Sequence, residues 1–177
     1  QFFDMYTKVS SNFLKKILNF VPIITIIFFI FIDSVPFYFL SDTLFKTQFG
    51  LISTYVWICL DFEKTRPILL VLLGILIDLF GHFIFGISSL IFIILFFLQR
   101  KNSEILYSQN FKKTWLNFNI FLIIYNLIYC FLLFFIMSNI MFNFAQIIIS
   151  MIVSILFFPL MFLLINYLNE KMRSIDE

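Results

Sequence analysis

From Thr114 to Asn169 the chain runs for 56 residues without one charged side chain. A helix needs about 20 apolar residues to cross the hydrocarbon core of a bilayer, so this run holds two spans, with a break at SNIMFN, residues 138 to 143. Three further runs carry few charges or none: 17 to 32, 47 to 60 and 67 to 99. With 62% hydrophobic residues, 12% charged residues and a mean hydropathy of +1.05, the composition is that of an integral membrane protein rather than a soluble globular domain. The longest polar stretch, near residues 100 to 113, leaves no room for a separate soluble domain, so function is expected from membrane helices and short loops. The run from Ile17 to Ile32 follows Lys8, Lys15 and Lys16 as the apolar part of a signal peptide would, but no small-residue cleavage site comes after it, and it reads as a retained span.

The run from Pro67 to Gln99 decides the topology. As one helix its 33 residues would measure roughly 50 Å, well beyond the ~30 Å core; as two they form a hairpin that turns at GHFIFG. Cytoplasmic loops carry the excess of Lys and Arg. With the hairpin there are six spans and both termini are cytoplasmic, which places eleven basic residues inside and only Lys46 outside. A single helix gives five spans with five basic residues inside and seven outside. The expected fold is therefore an all-α, compact bundle of six transmembrane helices in one domain over residues 1–177, with spans near 17–36, 47–61, 66–80, 84–99, 114–137 and 144–168. The second and third spans are only about 21 Å long over their uncharged residues, so they are expected to be the least lipid-exposed.

The third span carries the most informative residues. Gly74, Asp78 and Gly81 fall at i, i+4 and i+7, which gives one face two missing side chains and one acid, a surface that another helix can approach closely. An intramembrane acid is costly and marks an interior contact by default. Asp78 is expected to accept hydrogen bonds from another helix or from amides at the GHFIFG turn and so fix the hairpin; the alternative is a wetted acid at a helix end. His82, four residues on and the only histidine, could pair with Asp78, but no second acid on this span completes a proton relay. Asp33 precedes Pro36 and reads as the outer end of the first helix. Pro159 should kink the last span, beside the small pair Ser150 and Ser154, and Tyr55 and Trp57 read as interfacial anchors.

The cytoplasmic loop RKNSEILYSQNFKK has a basic pair at each end, Arg100 with Lys101 and Lys112 with Lys113. The pairs set topology and attract anionic membrane lipid, and they form a possible contact for a cytoplasmic partner. A net charge of +2, dispersed in short clusters, does not point to nucleic acid. No phosphate-binding loop, zinc-protease helix, nucleophile elbow or metal-spaced cysteine pair is present, so no catalytic residue, metal site or cofactor is assigned, and the chain is not read as an enzyme.

The stretch RPILLVLLGILIDLFGHFIFGISSLIFIILFFLQ resembles the signature region of the MreD family, with Gly74, Asp78, Gly81 and Gly86 at its Gly-x-x-x-Asp, turn and following Gly positions. The ending SILFFPLMFLLINYL is similar to the family's last helix with its proline, here Pro159. An aromatic pair in the second helix is less well matched, since Val56 separates Tyr55 from Trp57. The resemblance implies a non-enzymatic, multi-pass protein of the bacterial inner membrane in the rod-shape and cell-wall elongation complex. Its implied partners are a bitopic MreC-like protein, the actin-like MreB, and a peptidoglycan polymerase and transpeptidase. In that reading Gly74, Asp78, Gly81, Gly86 and Pro159 serve helix packing or partner contact. Two rivals are weighed. A substrate-binding component of an energy-coupling-factor vitamin transporter needs a polar outward pocket and small residues on its first helix. An enzyme acting on lipid or isoprenoid substrates needs clustered acids or a nucleophile with its base.

Overall fold

The computed structural model describes residues 20–34, 37–38, 44–45, 47–61, 65–81, 85–101, 111–136 and 144–176. They form six helices: α1 Val21–Ser34, α2 Phe49–Leu60, α3 Pro67–Gly81, α4 Ile87–Lys101, α5 Phe111–Ile136 and α6 Phe144–Asp176. Between α1 and α2, two-residue strands β1 (Phe37–Tyr38) and β2 (Leu44–Phe45) pair antiparallel, with Phe37 opposite Phe45 and Tyr38 opposite Leu44. The last described residue of α1, Ser34, lies two positions before Pro36 in the sequence. α6 continues well past residue 168, because Ile165, Asn169 and Met172 keep one face buried while Glu170, Lys171 and Arg173 stay exposed.

α5 and α6 are long and apolar enough to cross a membrane unaided, over Phe111–Leu132 and Ala145–Ser174. α1 to α4 have 14, 12, 15 and 15 residues, or about 18 to 23 Å at ~1.5 Å per residue. Their shortness is offset by how they pack. α1 lies against α2 and α3, α3 against α4, and α2 against α4 and α6. α2 is the central post: every residue from Gly50 to Cys59 is buried. A helix apolar on all sides must be enclosed on all sides.

Two sequence expectations change here. α3 is not sheltered like α2; Ile68, Leu72, Ile75 and Leu79 form an exposed stripe along it, because α1 and α4 cover only its other face. Tyr55 and Trp57 are not interfacial anchors but wholly buried core residues of α2. The indole N–H of Trp57 donates to Thr25 Oγ1 on α1 at 2.8 Å. The Tyr55 ring stands 5.2 Å from both Phe118 and Phe121 of α5. Phe118 in turn stacks on Phe158 of α6 at a centroid distance of 4.3 Å. With one alanine and 29 phenylalanines in the chain, interlocked rings replace the small-residue seams usual between membrane helices.

Pro159 lies inside α6 without ending it. It lacks an amide hydrogen, so the carbonyl of Ile155, one turn back, has no partner within its own helix. The Trp115 indole on α5 donates to that oxygen at 3.3 Å. Neighbouring helices often re-satisfy the backbone group that a membrane proline frees. Trp115→Phe should therefore destabilise the protein by roughly 1 kcal/mol, and Pro159→Ala, which restores the helix's own bond, should remove most of that penalty. A double-mutant cycle of unfolding in detergent measures the coupling; simple additivity would contradict it.

Candidate functional site: two acid-capped hairpins

The carboxyl of Asp78 is fully buried. It lies near the C-terminal end of α3 and reaches the start of α4, where the first amides of a helix have no carbonyl partner of their own. Oδ2 accepts from the Gly86 amide at 2.7 Å, and the Ser88 amide lies 3.3 Å from Oδ2 and 3.4 Å from Oδ1. The Ile87 amide and the Ser88 hydroxyl face the same group. The acid on one helix thus caps the next, and it does so at the positive end of that helix's dipole. Gly86 adopts φ +95° at the entry to α4, a conformation in which a side chain would be strained.

Gly74 sits one turn before Asp78 on the same face of α3, and α4 fills that face. A Cβ on Gly74 would lie 2.5 Å from the Ser89 Cα, so the two backbones meet only because Gly74 has no side chain. The Ser89 hydroxyl donates to the Val71 carbonyl at 2.9 Å and fastens the same seam. Gly74, Asp78 and Gly86 therefore come together within one hairpin. Pro159 lies on α6, apart from them in the sequence, and the Trp115 indole bonds the Ile155 carbonyl one turn before it. Arg100 and Lys101 are exposed in the last turn of α4, where cations complement the dipole, and Lys112 and Lys113 are exposed in the first turn of α5. His82, the surroundings of Gly81 and the centre of the 100–113 loop lie outside the described residues, so the Asp78–His82 pairing does too.

Sequence reasoning missed that Asp33 performs the same task for the first hairpin. Its Oδ1 accepts from the Phe49 amide at 2.9 Å and the Thr47 hydroxyl at 2.8 Å, and its Oδ2 from the Gly50 amide at 2.6 Å. Those groups open α2. A Cβ on Gly50 would come within 2.7 Å of Ile30 and 3.2 Å of Asp33 Oδ2, so close contact accompanies the cap here as well. The signal was present as TQFG at residues 47 to 50 and GISS at 86 to 89, each an N-terminal helix signature with a glycine and a hydroxyl residue. Asp33 lies 16 and 17 residues before the amides it caps, which hides that pairing, whereas Asp78 is expected from the sequence to reach amides of the turn that ends at Gly86.

α5 joins the two caps. Tyr125 Oη lies 2.8 Å from Ser88 Oγ and within electrostatic reach of both Asp78 and Asp33. The adjacent Asn126 donates to the Leu122 carbonyl at 2.8 Å and lies 3.4 Å from Gln48 Nε2. Thr47, Gln48, Asp78, Ser88, Tyr125 and Asn126 are all buried. The result is a polar cluster at one end of the bundle, tying together α1 to α5. Among the described residues no group of three or more His, Cys, Asp or Glu side chains is placed to hold a metal ion.

Removing the Asp78 acceptor leaves the part-buried Gly86 amide and the buried Ser88 amide without it. Asp78→Leu should cost roughly 2 to 4 kcal/mol, and Asp78→Asn less, since one oxygen remains. Cys59, 5% exposed, supplies the readout: with Cys130 replaced by Ser, its reaction with a thiol dye on heating should begin at lower temperature in the order wild type, Asn, Leu. Equal melting of all three would contradict the capping role. Asp33→Leu should fall alongside Asp78→Leu.

No curated protein and no solved structure matches the chain. The family model described as rod shape-determining protein MreD matches residues 14–168, which include both capped hairpins and Pro159. The chain belongs to the MreD family of rod shape-determining proteins.

Proposed function

We propose that this protein is a six-span scaffold of the bacterial inner membrane that holds an MreC-like bitopic partner within the rod-shape and cell-wall elongation complex. The family match over residues 14–168 carries this reading. The six spans are supported by the fold-back of α4 onto α3 and by the exposed apolar side chains around the bundle, such as Leu72, Phe97, Leu127 and Leu163. In this topology the polar cluster lies toward the periplasm, and the ends of the helices bearing Arg66, Arg100, Lys101, Lys112, Lys113, Lys171 and Arg173 lie toward the cytoplasm.

Because α4 of the same chain covers Gly74 and Asp78, these residues act on the partner by holding the shape of the hairpin, and the partner meets its outer surface. The basic pairs Arg100–Lys101 and Lys112–Lys113 face cytoplasmic components such as the actin-like filament. The polymerase and transpeptidase join through the assembled complex. The chain works by position, not by chemistry. No observation favours the vitamin-transporter reading.

The test is recovery of the partner. The tagged protein, extracted from its own membranes, should bring down a bitopic MreC-like protein and should restore rods to cells depleted of it. Asp78→Leu should lose both, while Asp78→Asn retains part of each. Failure of the folded wild-type protein to recover such a partner would contradict the proposal, as would full rod rescue by Asp78→Leu.

A further inference from the structure

α4 and α5 are pinned together at one end by the Ser88–Tyr125 contact. Beside it an open groove of about 290 Å³ lies between them. It runs from Ile91 to Leu98 on α4 and from Asn117 to Ile128 on α5, or about 10 Å and about 16 Å at ~1.5 Å per residue. Leu95 and Phe121 form a buried floor, and Ile94, Leu98 and Ile124 form exposed walls. Asn117 is its one polar lining residue.

Both walls end in a cation. Ile94, Leu98 and Lys101 lie at i, i+4 and i+7 on α4, and Lys113, Asn117 and Ile124 lie at i, i+4 and i+11 on α5. Such spacings keep residues on one helix face. Lys101 therefore continues one wall and Lys113 the other, at the end where α4 stops and α5 starts. Both are exposed, as is the neighbouring Arg100. We propose that this groove is a lipid site that seats an acyl chain of an anionic phospholipid, with the headgroup phosphate held between Lys101 and Lys113 and Asn117 beneath it.

Charge and shape select this occupant. An anion matches the cations at one end, and a chain of methylenes matches the apolar length behind them. A transmembrane helix from a partner suits the groove less well, because the lining has no Gly, Ala or Ser to let a second backbone approach. Branched aliphatic walls instead fit a chain that bends to follow them. The inference uses the membrane setting of the protein but not its role in cell shape, so the two can fail separately.

The experiment extracts the full-length protein in mild detergent, exchanges it into an equimolar mixture of phosphatidylglycerol and phosphatidylethanolamine, and counts bound lipid by native mass spectrometry. Wild type should favour phosphatidylglycerol by roughly five-fold or more, about what one well-placed cation contributes near a membrane surface. Lys101→Gln with Lys113→Gln, both exposed positions remote from the core, should abolish the preference. Leu98→Trp with Ile124→Trp, which fills the groove and keeps the cations, should lower the number of lipids retained. Equal retention of the two lipids by wild type would overturn the proposal. So would a preference that survives the charge variant, or a lipid count that the groove-filling variant leaves unchanged, since the latter marks surface adsorption without the groove. A photo-crosslinker at Leu98 that captures a partner helix or a second copy in place of lipid would overturn it too.

Discussion

The first amides of a helix have no carbonyl ahead of them, and among apolar side chains no water replaces it. In this protein two acids solve that problem for their neighbours. Asp33 at the end of α1 receives the amides that open α2, and Asp78 near the end of α3 receives those that open α4. Each bond set fixes where a helix begins and the angle at which it returns along its predecessor. Because α2 then stands at the centre of the bundle and α4 packs against it, the rest of the core is arranged around helices whose starting points the acids determine.

Close packing follows from this. Gly74 meets the Ser89 backbone, and Gly50 meets Ile30 and Asp33, so each capped hairpin also has one glycine at its tightest contact. Elsewhere the chain has little small-residue material, and the stack through Tyr55, Phe118 and Phe158 joins α2, α5 and α6 by ring contacts. Aromatic packing of this kind is directional and supplies a large contact area per residue. Between α4 and α5, where every lining residue but Asn117 is a large apolar side chain, a groove stays open.

Much of this could be read from the residues. The uncharged runs located the helices, and the excess length of the run from Pro67 to Gln99 required the fold-back that brings Asp78 to Gly86. Asp78 stood out because it is a lone acid in an apolar run. Asp33 did not, because Pro36 and Asp42 nearby made it resemble an ordinary helix end, and its partners at Phe49 and Gly50 lie 16 and 17 residues on. Tyr55 and Trp57 were misread for a related reason: aromatic residues near a span end fit an interfacial belt, and only the packing of α1, α4, α5 and α6 around α2 makes them core. The Trp115–Ile155 bond was equally invisible, since it joins positions 40 residues apart that sequence spacing does not relate.

The account stands or falls on the return of α4 beside α3 across the membrane. Cysteine accessibility tests it directly, with Cys59 and Cys130 replaced and single cysteines placed at Phe85, in the turn, and at Lys101, at the far end of α4. In intact cells an impermeant maleimide should label position 85 and leave position 101 unlabelled until the membrane is opened. Labelling of position 101 from outside, or of both positions from the same side, would contradict the proposed hairpin and the six-span topology with it.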